Sequence, residues 1–171
     1  MRKHNYINNK DLYLAMKLFK KEVRKCLKEN KEPPQISNYI GNSILLICNN
    51  LAKKPNFSGY TYKQEMISDA VVDCVASVEN FDPKKTNNPF AYFTQIAWNA
   101  FIRRIFKEKK QSYVKHKNFE NTLLFTDIDN EDLVQMKPNE FSNEIIRSFE
   151  EKTLTKLKKT YKIKGVEKFY S

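Results

Sequence analysis

Residues 64–106 read QEMISDAVVDCVASVENFDPKKTNNPFAYFTQIAWNAFIRRIF, and the rest of the chain is arranged around them. Met66 or Ile67, Ala70, Val71, Cys74, Val75 and Val78 recur at three- and four-residue steps, the period of a helix buried along one stripe, and Phe81 closes the run. This spacing predicts a helix from Tyr62 to about Asn80, stopped by Asp82-Pro83. Polar residues fill the turn to Asn88. Pro89 opens the next helix, where its missing N–H is one of the unpaired donors of a first turn. On that helix Phe93, Ile96, Ala97, Ala100 and Phe101 share the core face, whereas Trp98, Ile102 and Phe106 lie largely off it. The helix therefore carries more apolar surface than one core contact requires.

Toward the N-terminus, Leu12, Ala15, Met16, Phe19, Val23, Cys26 and Leu27 place an amphipathic helix over residues 11–29, with lysines on its other face and Asn8 or Asn9 as cap. Pro33-Pro34 then holds the chain extended. Ile40, Ile44, Ile47, Cys48 and Leu51 form another helical stripe, and the turn KKPNFSGYT breaks it near Ala52. Beyond Lys110 the apolar period weakens, which reads as an extended or partly ordered connection with an acidic middle, Asp127 to Asp132. A further helix is expected from Glu140 to Lys159, using Ile145, Ile146, Phe149, Leu154 and Leu157. With no internal repeat and no strand alternation, the fold class read from these patterns is all-α.

The 171 residues hold 31 Lys+Arg against 20 Asp+Glu, a net charge of +11, which points to an anionic partner, nucleic acid first among them. The cysteines, Cys26, Cys48 and Cys74, are odd in number, far apart and set among apolar residues, as reduced buried thiols of a cytosolic protein are. The N-terminus lacks an apolar signal core and no stretch is long and apolar enough to span a bilayer, so a soluble, unprocessed chain is expected.

Two constellations stand out. Glu65, Asp69 and Asp73 follow at four-residue steps opposite the buried stripe of their helix, a row suited to a basic protein surface or, as the plainer alternative, a solvated face. On the next helix Phe90, Tyr92, Phe93, Trp98, Phe101 and Phe106 are interleaved with or followed by Arg103, Arg104, Lys107, Lys109, Lys110, Lys115 and Lys117. Aromatic rings stack with unpaired bases while cations hold phosphates. Phe93 and Phe101 are core; Tyr92, Gln95, Trp98, Asn99 and Ile102 project away from it. No catalytic set is expected: the histidines, His4 and His116, lie in poorly patterned segments, and there is no P-loop, GxGxxG or HExxH. No zinc spacing occurs, and Asp127, Asp129, Glu131 and Asp132 lack the glycine and terminal acid of an EF-hand loop, so neither a metal nor a cofactor is expected.

EMISDAVVDCVASVENFD followed by PFAYFTQIAWNAFIRRIFK resembles the second conserved region of bacterial sigma factors, and Pro89-x-Ala91-Tyr92-Phe93-x-x-Ile96-Ala97-x-Asn99 is close to the pattern of the extracytoplasmic-function group. The words NNK, NFSGYT and KQEMI resemble the late-promoter sigma factors of T-even and related bacteriophages, and the likeness covers most of residues 5–117. It implies a compact helical sigma region 2-like domain over 38–118, preceded by a helix and Pro linker over 1–37. A partly ordered linker with a helix would span 119–160, and a clamp-binding tail 161–171.

The resemblance also implies jobs. Glu65, Ser68 and Asp69, with Asp73 on the same face, would contact the clamp helices of the host RNA polymerase's largest subunit; primary sigma factors usually carry Gln where Ser68 stands. Tyr92, Gln95, Ile96 and Trp98 would serve promoter melting, with Gln95 and Ile96 standing where primary sigma factors carry a Trp pair. Asn99, Ile102 and Arg103 would read a −10-like element; Arg104, Lys107 and Lys110 join them as DNA-binding candidates on their charge alone, as cations that hold phosphates. No pair of helices suited to a −35 element follows Lys117. Val166, Phe169 and Tyr170 match the spacing of a tail that engages the phage sliding clamp, with or without a late coactivator. The implied protein is a noncatalytic late-transcription sigma factor in the host cytoplasm. Left open beside it are a DNA-binding or anti-sigma-like regulator without initiation activity, and a helical interaction protein whose charge serves solubility.

Overall fold

The computed structural model of the chain describes residues 6–125 and 140–163, with side chains over 6–122 and 140–156. The class is all-α: α1 (Asn9–Lys28), α2 (Asn38–Ala52), α3 (Pro55–Ser58), α4 (Lys63–Ala76), α5 (Pro89–Phe125) and α6 (Glu140–Ile163), with no strand among the described residues. The chain divides into two compact units, Met1–Ile105 and Phe106–Ser171, and the division falls within α5. No helix among the described residues is long and apolar enough to cross a membrane.

In the first unit α2 packs on α1 and α4. Leu12, Met16, Phe19 and Val23 of α1 join Ile40, Ile44, Ile47, Met66, Ala70, Cys74, Phe93, Ala97 and Phe101 in one buried cluster. Thus α1, although set apart in sequence by the proline linker, shares that core. Each fully buried large side chain contributes about 1.5–3 kcal/mol from the surface it removes from water. Cys48 and Cys74 are buried and Cys26 is half-buried, all as free thiols. Cys74 donates to the Phe93 carbonyl at 3.6 Å, tying α4 to α5, and its hydrogen bond with Cys48, together with burial, pushes its pKa up.

The ends of the helices follow from local chemistry. The Asn8 side chain accepts from the Lys10 N–H at 3.0 Å, and Ser37 Oγ from the Ile40 N–H at 3.4 Å, each satisfying a first-turn donor. At the end of α1, Asn30 takes a left-handed φ of 50° and the Lys31 N–H reaches back to the Cys26 carbonyl at 2.9 Å, a Schellman closure. α1 also holds the connection between α4 and α5. Tyr13 donates to the Pro83 carbonyl at 3.2 Å, Lys20 to the Glu79 carbonyl, and Asn9 to the Asn87 carbonyl at 3.4 Å while accepting from the Phe90 N–H at 3.2 Å. The start of α5 is therefore set by α1 as well as by Pro89.

Several expectations are corrected. Val75, placed in the buried stripe, is 39% exposed, because α4 buries only the narrow row Met66, Ile67, Ala70 and Cys74. α4 ends at Ala76 rather than near Asn80, its cap at Ser77 closing back onto Asp73 and Cys74. The KKPNFSGYT turn contains α3, one turn of helix started by Pro55, whose Phe57 is buried with its ring 4.8 Å from Trp98 and 5.0 Å from Phe101, edge-to-face in both. Finally, the segment after Lys110 continues as helix to Phe125. No proline or glycine interrupts it, and its partner is distant in sequence.

That partner is α6, which extends from Glu140 to Ile163, beyond the expected Lys159. In the second unit the Tyr113 ring stacks on Phe149 at 4.6 Å and its hydroxyl donates to Glu150 Oε1 at 3.1 Å; His116 and Ser142 lie 3.0 Å apart. Residue numbers rise along α5 as they fall along α6, so the pair is antiparallel. Hydrogen bonding to Glu150 raises the Tyr113 pKa.

Candidate functional site

The outer face of α4 is built from positions 65, 68, 69 and 72, one turn above another. Glu65 and Ser68 are exposed, as the sequence pattern requires. Asp69 and Asp73 are not the open acids of that pattern: both are half-buried at the edge facing α5. Asp69 Oδ2 lies 3.3 Å from Arg104 Nε and Asp73 Oδ2 lies 2.5 Å from Arg103 Nη2. The expectation of a three-acid row projecting into solvent is corrected accordingly; one acid projects and two pair with arginines. Sequence periodicity cannot show this, since Asp69 and Arg104 are far apart in the chain.

Val72 was missed. It is 66% exposed and sits two turns after Glu65, at the C-terminal end of the same face. It adds an exposed apolar side chain to a face that otherwise presents Glu65 and Ser68. The available signal was the step of seven from Glu65, which hydrophobic counting assigns to neither the core nor the acid row.

On α5 the nucleic-acid candidates fall into two groups. Gln95, Asn99, Ile102 and Arg103 are exposed, Gln95 Nε2 donating to Asn99 Oδ1 at 3.0 Å. Tyr92, Ile96 and Trp98 are half-buried against the core, so the expectation that Tyr92 and Trp98 project away from it is corrected. The Tyr92 ring packs edge-on to Phe81 at 5.3 Å and its hydroxyl donates to the Ser77 carbonyl at 3.1 Å. Burial raises its pKa, with Cys74 adding to the effect, so Tyr92 stays a neutral donor. Trp98 is covered by Phe57, whereas Ile102 and Phe106, the rest of the surplus apolar surface of α5, stay about half exposed. Arg104 is mostly buried at its side chain, 16% exposed, against 63% for Arg103. Lys107 and Lys110 are exposed and belong to the second unit.

Val166, Phe169 and Tyr170, like His4 and Asp127 to Asp132, lie outside the described residues. Among the described residues no group of three or more His, Cys, Asp or Glu side chains is placed to hold a metal ion. The Ser142–His116 contact has the members of a nucleophile–base pair, but Ser142 is buried and offers a substrate no approach. No known protein family and no curated protein matches this sequence.

Proposed function

We propose that this chain is a sigma-like initiation factor, of the kind that serves bacteriophage late transcription, which binds host RNA polymerase core through α4 and a −10-like promoter element through α5. The observation that carries the reading is the pair of ion pairs Asp69–Arg104 and Asp73–Arg103, which join the outer face of α4 edge to edge with the exposed polar face of α5. A protein-facing patch of Glu65, Ser68 and Val72 thus adjoins a DNA-facing strip of Gln95, Asn99, Ile102 and Arg103. A factor that must touch polymerase and promoter at once needs such adjacency. Tyr92 and Trp98, packed on the core, serve in this reading as rigid walls beside an unpaired base, with little rotamer freedom left to lose on binding. The chain contributes recognition and strand trapping, and the polymerase supplies the chemistry.

The test is run-off transcription by host core polymerase on a template with an AT-rich −10-like element and no −35 element. Transcripts that depend on the protein are expected; their absence, with core binding retained, favours the anti-sigma-like or DNA-binding regulator. Deleting residues 166–171 is expected to leave basal run-off unchanged and to remove stimulation by the phage sliding clamp. Equal stimulation of both forms would refute a clamp-binding role for Val166, Phe169 and Tyr170.

The ion pairs lead to another expectation. Asp73 competes with phosphates for the exposed Arg103, whereas Arg104 is mostly buried, so Asp73→Asn should raise the free protein's affinity for single-stranded −10 DNA by about threefold and steepen its salt dependence by about one phosphate contact, and Asp69→Asn should change neither. The ion pairs are partly solvated, so the stability lost with each should stay under about 1 kcal/mol. Fluorescence anisotropy across a salt series measures the first effect and urea unfolding the second. An unchanged salt slope for Asp73→Asn would mean that Arg103 does not meet DNA.

A further inference from the structure

The face of α1 turned away from the core is neither neutral nor simply charged. Leu14 and Leu18, one turn apart and opposite the buried Leu12, Met16, Phe19 and Val23, are 56% and 62% exposed. Lys21 and Lys25 continue their row at helical spacing, and Lys17, Arg24 and Lys28 flank it. With Tyr13, Pro83 and Lys84 these residues line an open groove of about 1180 Å³ within the first unit, in which Glu22 is the single acid. Lys20 is engaged with the Glu79 carbonyl and Lys25 lies 4.0 Å from Glu29, but among the described residues Lys17, Lys21, Arg24, Lys28 and Lys84 have no carboxylate partner.

We infer that this groove is a docking surface for an acidic amphipathic helix of a protein partner, independently of the polymerase and promoter contacts proposed above. Charge complementarity selects the occupant. A nucleic-acid backbone would satisfy the cations and leave Leu14 and Leu18 against a hydrated polyanion, losing the benefit of covering them. A helix with leucine-like residues on one stripe and carboxylates on both sides meets both demands: its apolar stripe covers Leu14 and Leu18, and its acids reach the lysines and Arg24 alongside. The lysine stems extend the apolar floor while their ammonium groups stay at the rim. Because α1 also holds the Pro83, Glu79 and Asn87 carbonyls of the α4–α5 connection, the groove is formed on a rigid support.

The test titrates the full chain into a fluorescent peptide of about 16 residues with leucines at i, i+3 and i+4 spacing and glutamates elsewhere, long enough to form a helix once bound. Saturable binding in the micromolar range is expected, weakened about tenfold by Leu14→Ser/Leu18→Ser and by Lys17→Ala/Lys21→Ala, with the circular-dichroism melt of each variant unchanged since all these side chains lie outside the core. A control peptide with every leucine replaced by serine is expected to bind at least about tenfold more weakly. No saturable binding, equal affinity for the control peptide, or wild-type affinity in Leu14→Ser/Leu18→Ser would each overturn the proposal. A duplex whose binding is lost in the lysine variant, alongside a peptide affinity that the leucine variant leaves intact, would make the face a nucleic-acid surface instead.

Discussion

Phe57→Ala is expected to destabilise the first unit by about 3–5 kcal/mol. The ring is 1% exposed and is held edge-on between Trp98 and Phe101, at 4.8 and 5.0 Å. Removing it leaves a cavity the size of an aromatic ring, and it removes the one side chain that anchors α3, a single turn too short to persist by itself. Urea unfolding followed by circular dichroism measures the loss. Because Trp98 is the only tryptophan, its fluorescence reports the same site, and its emission should shift toward that of a solvated indole in the variant. Phe57→Leu, which keeps most of the volume, should cost no more than about 1.5 kcal/mol. A loss under about 1 kcal/mol for Phe57→Ala would show that the α3 turn is not part of the core.

Glu65→Lys/Val72→Lys should weaken binding to polymerase core at least about a hundredfold while leaving the melting temperature within a degree or so of the parent, because both side chains project from the fold and a hot-spot patch tolerates neither charge reversal nor a charge in place of its apolar side chain. The same experiment with Asp69→Lys in place of Val72→Lys should lower both binding and stability. The new lysine would face Arg104 across a gap that now holds an ion pair of 3.3 Å. This contrast separates an interface effect from a folding effect. Unimpaired pull-down of core by Glu65→Lys/Val72→Lys would remove the outer face of α4 from the proposed polymerase contact.

The helices themselves were largely readable from the chain. Apolar steps of three and four place α1, α2, α4, the first half of α5 and α6 because each buries one stripe, and burial selects residue type at a helical period. The helix starts are local too: the Asn8 side chain caps α1, and Pro89 opens the first turn of α5 with its fixed φ and missing N–H. Exposure of Glu65, Ser68, Gln95, Asn99 and Ile102 follows from the same wheel.

What the chain could not show is what meets at long range. α3 is one turn, too short for a period, so Phe57 was indistinguishable from a loop aromatic until Trp98 and Phe101 were seen against it. The second half of α5 has no strong apolar stripe; it is helical through contacts such as Tyr113 on Phe149, whose residues are remote in sequence. Asp69 and Asp73 read as a free acidic row because nothing local pairs them, and only the packing of α5 beside α4 brings Arg104 and Arg103 within reach. The physical division is one of range: helix formation and capping act over a few residues and are written locally, whereas edge-to-face packing and ion pairing depend on side chains that meet only after the helices have packed.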